Sequence, residues 1–133
     1  MSVLPQYKAI TKLSLKAIFV YSCEYMTESM SNSFVHRGLI TYAATDPKEA
    51  LLKIKEHDID IVVIDVIHFH PRCIMDFLSF KKDLWIAAIN CNFKDNRYYQ
   101  AKEFGASMVT SPMIFIQVMP MFLKLLSVHV KYN

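Results

Sequence analysis

Short unbroken apolar runs alternate with amphipathic stretches along this chain, and that alternation predicts its architecture. The central run is Ile61-Val62-Val63-Ile64, framed by Asp60 and Asp65. Four β-branched residues in a row, bounded by carboxylates, read as a strand buried on both faces. Four further runs read as strands: Ala17 to Tyr21, Leu39 to Ala44, Leu84 to Asn90, and the shorter Ser107 to Thr110. Between them, apolar residues recur at helical spacing. Met26, Met30 and Phe34, with Val35 beside them, predict a helix from Glu24 to His36 that Gly38 stops. Asp46-Pro47-Lys48-Glu49 reads as a helix start, with Asp46 as N-cap, Pro47 at the first helical position and Glu49 at the third. That helix turns Ala50, Leu51 and Ile54 inward and ends at His57-Asp58. Pro71 opens a third helix with Ile74, Phe77 and Leu78 inward. A fourth runs from Asp95 to Phe104 and is stopped by Gly105, and a last one spans Met113 to Val128.

Strands alternating with helices through short connections predict a doubly wound parallel sheet of five strands inside a three-layer α/β/α sandwich. Right-handed crossovers give the flavodoxin-like order 2-1-3-4-5. Residues 1–15 are expected to form an N-terminal arm and residues 16–130 the domain. In such a sheet Asp65 stands at the carboxyl edge, where ligands bind. Phe19, Phe77 and Trp85 are assigned to the core, and the alanines of the fourth strand to a close helix approach on one face.

Composition narrows the function. The chain of 133 residues carries a net charge of +3 without any Lys/Arg run, so a protein partner is favoured over nucleic acid. Three scattered cysteines suit reduced thiols and a cytoplasmic location. Lys8, Lys12 and Lys16 interrupt any signal-type core, and Gln117, Pro120 and Lys124 interrupt the longest apolar stretch, so no membrane span is expected.

Around residues 16–126 the chain resembles the receiver domain of bacterial two-component response regulators. The likeness rests on Asp46-Pro47-Lys48-Glu49-Ala50-Leu51-Leu52, on the run from Asp60 to Asp65, on Phe104-Gly105-Ala106 and on Pro112. It implies a phosphoacceptor aspartate at Asp65. It also implies an acidic pair holding a divalent metal where Tyr21 and Ser22 stand, and a hydroxyl residue where Asn90 stands. A lysine preceding a cis-proline is implied where Ser111 precedes Pro112. The aromatic switch position falls on Met108, and Phe69 and His70 occupy the places of a proline and a glycine after the phosphoacceptor. Phosphoryl transfer to a carboxylate needs charge neutralisation by metal and lysine. With Asp65 the one carboxylate left and Glu24 a displaced substitute, the expectation is a pseudo-receiver. Asp65 would then be a relic bonded to Ser22, Asn90 or Ser111, with no metal, no cofactor and no enzymatic activity.

Two alternatives stand beside this. Asp65 is an unorthodox phosphoacceptor, or His68, His70 and Cys73, with Cys23 and Cys91 near the same edge, sense metal or redox state. Their spacing fits no zinc family, and no Cys-x-x-Cys occurs. The last helix is the expected contact surface. Phe115, Val118, Met119, Phe122, Leu125 and Leu126 suffice for a core stripe, which leaves Ile114, Ile116, Met121 and Leu123 outside it. With Tyr98 they form the expected homodimer interface of a phosphorylation-independent protein-interaction module in bacterial signalling.

Overall fold

The computed structural model describes residues 15–35, 39–90 and 94–121. The central strand organises it. β3, Ile61–Asp65, is buried at every position, as an apolar β-branched run demands. β1 (Lys16–Val20) pairs parallel with it on one side and β4 (Trp85–Ile89) on the other. β2 (Ile40–Ala44) and β5 (Met108–Thr110) close the edges in the order β2-β1-β3-β4-β5. Order, parallel pairing and layering are those the alternating pattern predicts.

Side-chain alternation along the strands feeds two cores. Ile18, Val20, Val62, Ile64, Ile86 and Ala88 face one layer of helices. That layer contains α2 (Pro47–His57), α3 (Cys73–Phe80) and α4 (Asn96–Glu103), contributing Ala50, Ile54, Ile74, Phe77 and Ala101. Ala17, Phe19, Tyr21, Ile61, Val63, Ala87 and Ile89 face the other layer. There α1 (Glu24–Val35) supplies Met30 and Phe34, and α5, helical over 112–121, supplies Phe115 and Met119. Phe34 stacks on Phe19 and meets Phe115 edge-on, so one aromatic chain joins strand and both helices. The two alanines of β4 serve opposite faces, where close approach on one face was expected. Trp85 is half-buried at the rim of the second core and falls short of the core position assigned to it.

Local chemistry sets the helix ends. Asp46 accepts the Glu49 amide at 2.7 Å, and Glu49 reaches back to the Thr45 amide at 3.2 Å, so the predicted cap is reciprocal. Asp58 ends α2 in the left-handed region at φ 52. Lys81 ties that turn to the start of α3's exit, donating to Asp58 and to the Ile59 carbonyl. At the amino edge of the sheet Asp60 accepts the Lys16 amide at 2.8 Å, which pins β1 to β3.

Three boundaries or faces differ from expectation. Met26 is exposed and Thr27 is buried in its place, because the Thr27 hydroxyl satisfies itself on the Glu24 carbonyl at 2.7 Å. α3 begins at Cys73; Pro71 and Arg72 form a preceding turn closed by the Ile74 amide on the Pro71 carbonyl. The chain stays helical through Pro120 to residue 121. Gly38, Cys91, Phe122, Leu123, Leu125, Leu126, the arm up to residue 14 and the Val35 side chain lie outside the described residues.

Gly105 follows α4 at φ +112, and a Cβ there would come within 2.5 Å of Leu78 Cδ1. The backbone conformation therefore calls for glycine, while the Leu78 side-chain end would have to shift to admit a Cβ. Gly105→Ala is expected to cost more than about 1 kcal/mol, read as a lowered urea midpoint; an unchanged midpoint would contradict this account of the turn.

Candidate functional site

The carboxyl edge of the sheet brings Asp65, Asn90, Ser111 and the end of β1 together, as doubly wound topology requires. Asp65 ends β3 opposite Ile89, and the buried Asn90 follows, its amide donating to the Thr110 carbonyl at 2.8 Å. Tyr21 extends β1, with its amide on the Ala44 carbonyl and its side chain buried in the α1/α5 core. Ser22 is exposed. No carboxylate therefore stands at either position of the implied acidic pair. Glu24 is exposed at the start of α1 and lines a cleft with Thr27, Glu49 and Lys53 that does not include Asp65.

Ser111 has a local role. Its hydroxyl accepts the Ile114 amide at 3.3 Å and its carbonyl accepts the Phe115 amide, so it caps α5 with Pro112 at the first helical position. No peptide bond among the described residues is cis, so Pro112 departs from the cis-proline that the resemblance implies.

The partners of Asp65 differ from those expected. Its Oδ1 accepts the Ile67 amide at 2.9 Å, and its Oδ2 lies 2.6 Å from His68 Nδ1. Both bonds come from its own loop, where Ser22, Asn90 or Ser111 had been expected to supply them. The local sequence explains this. Val66 is fully buried and donates its amide to Ile89, while Phe69 packs against the α2/α3/α4 core and closes a turn onto the Asp65 carbonyl. With residues 66 and 69 anchored inward, Ile67 and His68 are turned outward, and the imidazole folds back over the carboxylate three residues earlier. The Asp65 side chain is 8% exposed and that of His68 61%. A carboxylate only accepts, so Nδ1 carries the proton.

Arg97, unremarked in the sequence, holds the same loop from the side. Asp95 caps α4 by accepting the Arg97 amide, and the guanidinium Nη1 then donates to the carbonyls of Val66 at 3.2 Å and Ile67 at 2.6 Å. An arginine two residues after a helix cap carries no sequence signal for a loop thirty residues earlier.

Among the described residues the His/Cys cluster does not assemble. His68 is turned to Asp65, and His70 Nδ1 accepts the Arg72 amide at 3.1 Å with its ring against Phe104. Cys73 is partly buried beside α2; burial first, and the nearby Asp76 carboxylate second, push its thiol up to about 12. Cys23 is exposed, and Cys91 lies outside the described residues. Among the described residues no three His, Cys, Asp or Glu side chains are placed to share a metal ion.

On the expected contact surface, Met113, Ile114, Ile116 and Met121 are exposed, Met113 at 71% and Met121 at 67%, while Phe115 and Met119 are buried. Tyr98 is half-buried under Lys102, and its neighbour Tyr99 is the more exposed of the pair. No helix among the described residues is long and apolar enough to cross a membrane.

No protein-family model matches the chain, and no curated protein matches it in sequence. Solved structures do match in shape, and they are consistently response-regulator receiver domains. A response regulator from Thermotoga maritima superposes with TM-score 0.74 at 15% identity, covering 91% of this chain and 100% of that one. A receiver domain protein from Clostridium thermocellum gives 0.75 at 14% identity, covering 89% and 98%. The beryllofluoride-activated NtrC4 receiver domain dimer gives 0.68 at 21% identity, covering 82% and 96%. The fold of this chain is thus the receiver fold.

The Cys73 geometry makes a direct prediction. At pH 8 its thiol is protonated, so iodoacetamide should label Cys73 at least about a hundredfold more slowly in native protein than in urea. Equal native and unfolded rates, mapped by peptide mass, would overturn the burial assignment.

Proposed function

We propose that this receiver-fold chain is a protein-interaction module in bacterial signal transduction whose output does not depend on an aspartyl phosphate. The observation that supports this most directly is the state of Asp65. Both its oxygens are engaged by its own loop, through the Ile67 amide and the His68 ring. An incoming phosphoryl group would have to displace His68, and it would then meet Tyr21, Ser22 and Ser111 where charge neutralisation is needed. Two anions brought together without metal or lysine repel strongly at a partly buried site. Calorimetric titration is expected to show no micromolar magnesium site. Beryllofluoride and acyl phosphate should leave no hydroxylamine-sensitive adduct on Asp65. A stoichiometric adduct of that kind would refute the reading.

The contact surface in this reading is α5. Its outer face presents Met113, Ile114, Ile116 and Met121, with Gln117 as a polar interruption. A soluble domain rarely leaves so continuous an apolar strip wet, and the structurally similar NtrC4 receiver is described as a dimer. A homodimer through this face, with Tyr99 and Tyr98 of α4 at its margin, follows. Light scattering over a concentration series should show a dimer that Ile116→Glu dissociates. A strict monomer at high concentration, indifferent to that substitution, would remove α5 as a self-association surface.

A further inference from the structure

The feature that the interaction reading leaves unused is the imidazole itself. His68 Nδ1 is held at 2.6 Å by the Asp65 carboxylate, while the ring is 61% exposed. With Nδ1–H donating to Asp65, the lone pair of the neutral ring is on Nε2, which points away from Asp65 and has no hydrogen-bond partner within the described residues. A carboxylate behind an imidazole fixes the tautomer, orients the ring and stabilises positive charge that develops on it. The result is an oriented nitrogen nucleophile at the rim of the sheet. His70, two residues on, is the internal contrast: its Nδ1 accepts the Arg72 amide, so its proton sits on Nε2 and its lone pair is already used. His57 stacks on Tyr42 and pairs with no buried carboxylate.

The surroundings suit an anionic electrophile. Arg97 donates to the carbonyls of Val66 and Ile67, which fixes a full positive charge against the two residues preceding His68. Arg72 is exposed on the same loop. No carboxylate other than Asp65 is bonded to His68, and Asp65 lies on the opposite side of the ring from Nε2.

We propose that His68 Nε2 is a phosphoryl-accepting nucleophile, so that the reactive atom at this edge belongs to the histidine, with Asp65 as its positioning residue. The donor class is a small phosphoramidate or acyl phosphate. The Nε2 lone pair forms the N–P bond while the bond from phosphorus to the leaving group breaks. The leaving group departs with that electron pair, as ammonia from phosphoramidate or as carboxylate from an acyl phosphate. The positive charge created on the ring is balanced by Asp65 through the retained Nδ1–H.

The test uses the whole chain and potassium phosphoramidate, followed by intact mass, peptide mapping and phosphorus NMR. The expected result is one phosphoryl group on His68, stable to alkali, labile to acid and present as the Nε2 isomer. It should form at least about tenfold faster than on His36, His57, His70 or His129. His68→Gln should abolish it, with near-UV circular dichroism checking the fold. Asp65→Asn should slow it by roughly tenfold and yield a mixture of Nδ1 and Nε2 isomers, a change that a merely structural aspartate would not produce. No adduct, or one spread evenly over the histidines, would overturn this proposal and leave the interaction reading standing. A hydroxylamine-sensitive adduct on Asp65 would overturn both. The wild-type map decides even where a variant fails to fold.

Discussion

Asp65 must be satisfied where the sheet puts it, and the rest of the edge follows from that constraint. β3 is buried on both faces, so its last residue cannot turn its carboxylate into open solvent. A partly buried carboxylate without partners costs several kcal/mol. In this chain the compensation comes from within five residues: one backbone amide and one imidazole. The buried Val66 and the packed Phe69 make that possible, because they leave the loop between them one geometry. Core packing thus writes the chemistry of the edge.

Neighbouring positions at this edge have local roles. Ser111 caps α5, Tyr21 fills the α1/α5 core, and Asn90 is buried at the end of β4 with its amide on β5. None contributes a charge to Asp65, and Asp65 calls on none of them. Arg97 completes the arrangement by fastening the loop to α4 through two carbonyls. Loop, carboxylate and helix start form one bonded unit. Charge-assisted bonds of this kind are among the stronger ones available at a partly wet site.

The two faces of the sheet contrast in how completely they are used. The α2/α3/α4 layer covers its side with apolar residues from three helices. The α1/α5 layer needs Phe34 and Phe115 to bridge it, and α5 spends Phe115 and Met119 inward while Met113, Ile114, Ile116 and Met121 stay outside. The outer side of α5 is therefore the less completely covered of the two layers.

Much of this was determined by the sequence alone. Unbroken apolar runs and period-3.6 patterning indicated five strands, their alternation with helices and the burial of β3, since those depend on each residue's own polarity and its near neighbours. The Asp46 cap and the Gly105 stop were equally local. The resemblance located Asp65, Tyr21, Ser22, Asn90 and Ser111 along the edge. What only the tertiary structure decided is which side chains meet. The Met26 position was misjudged because a threonine one residue on can satisfy its own hydroxyl and take the buried place. Trp85 stays half-buried because its strand position lies at the rim. His68 was grouped with His70 and Cys73 by spacing, but the anchoring of Val66 and Phe69 turns it to Asp65, and Arg97 reaches the loop across thirty residues. Such pairings depend on rotamers and on packing between distant segments, and the order of residues along a chain does not encode them in any local pattern.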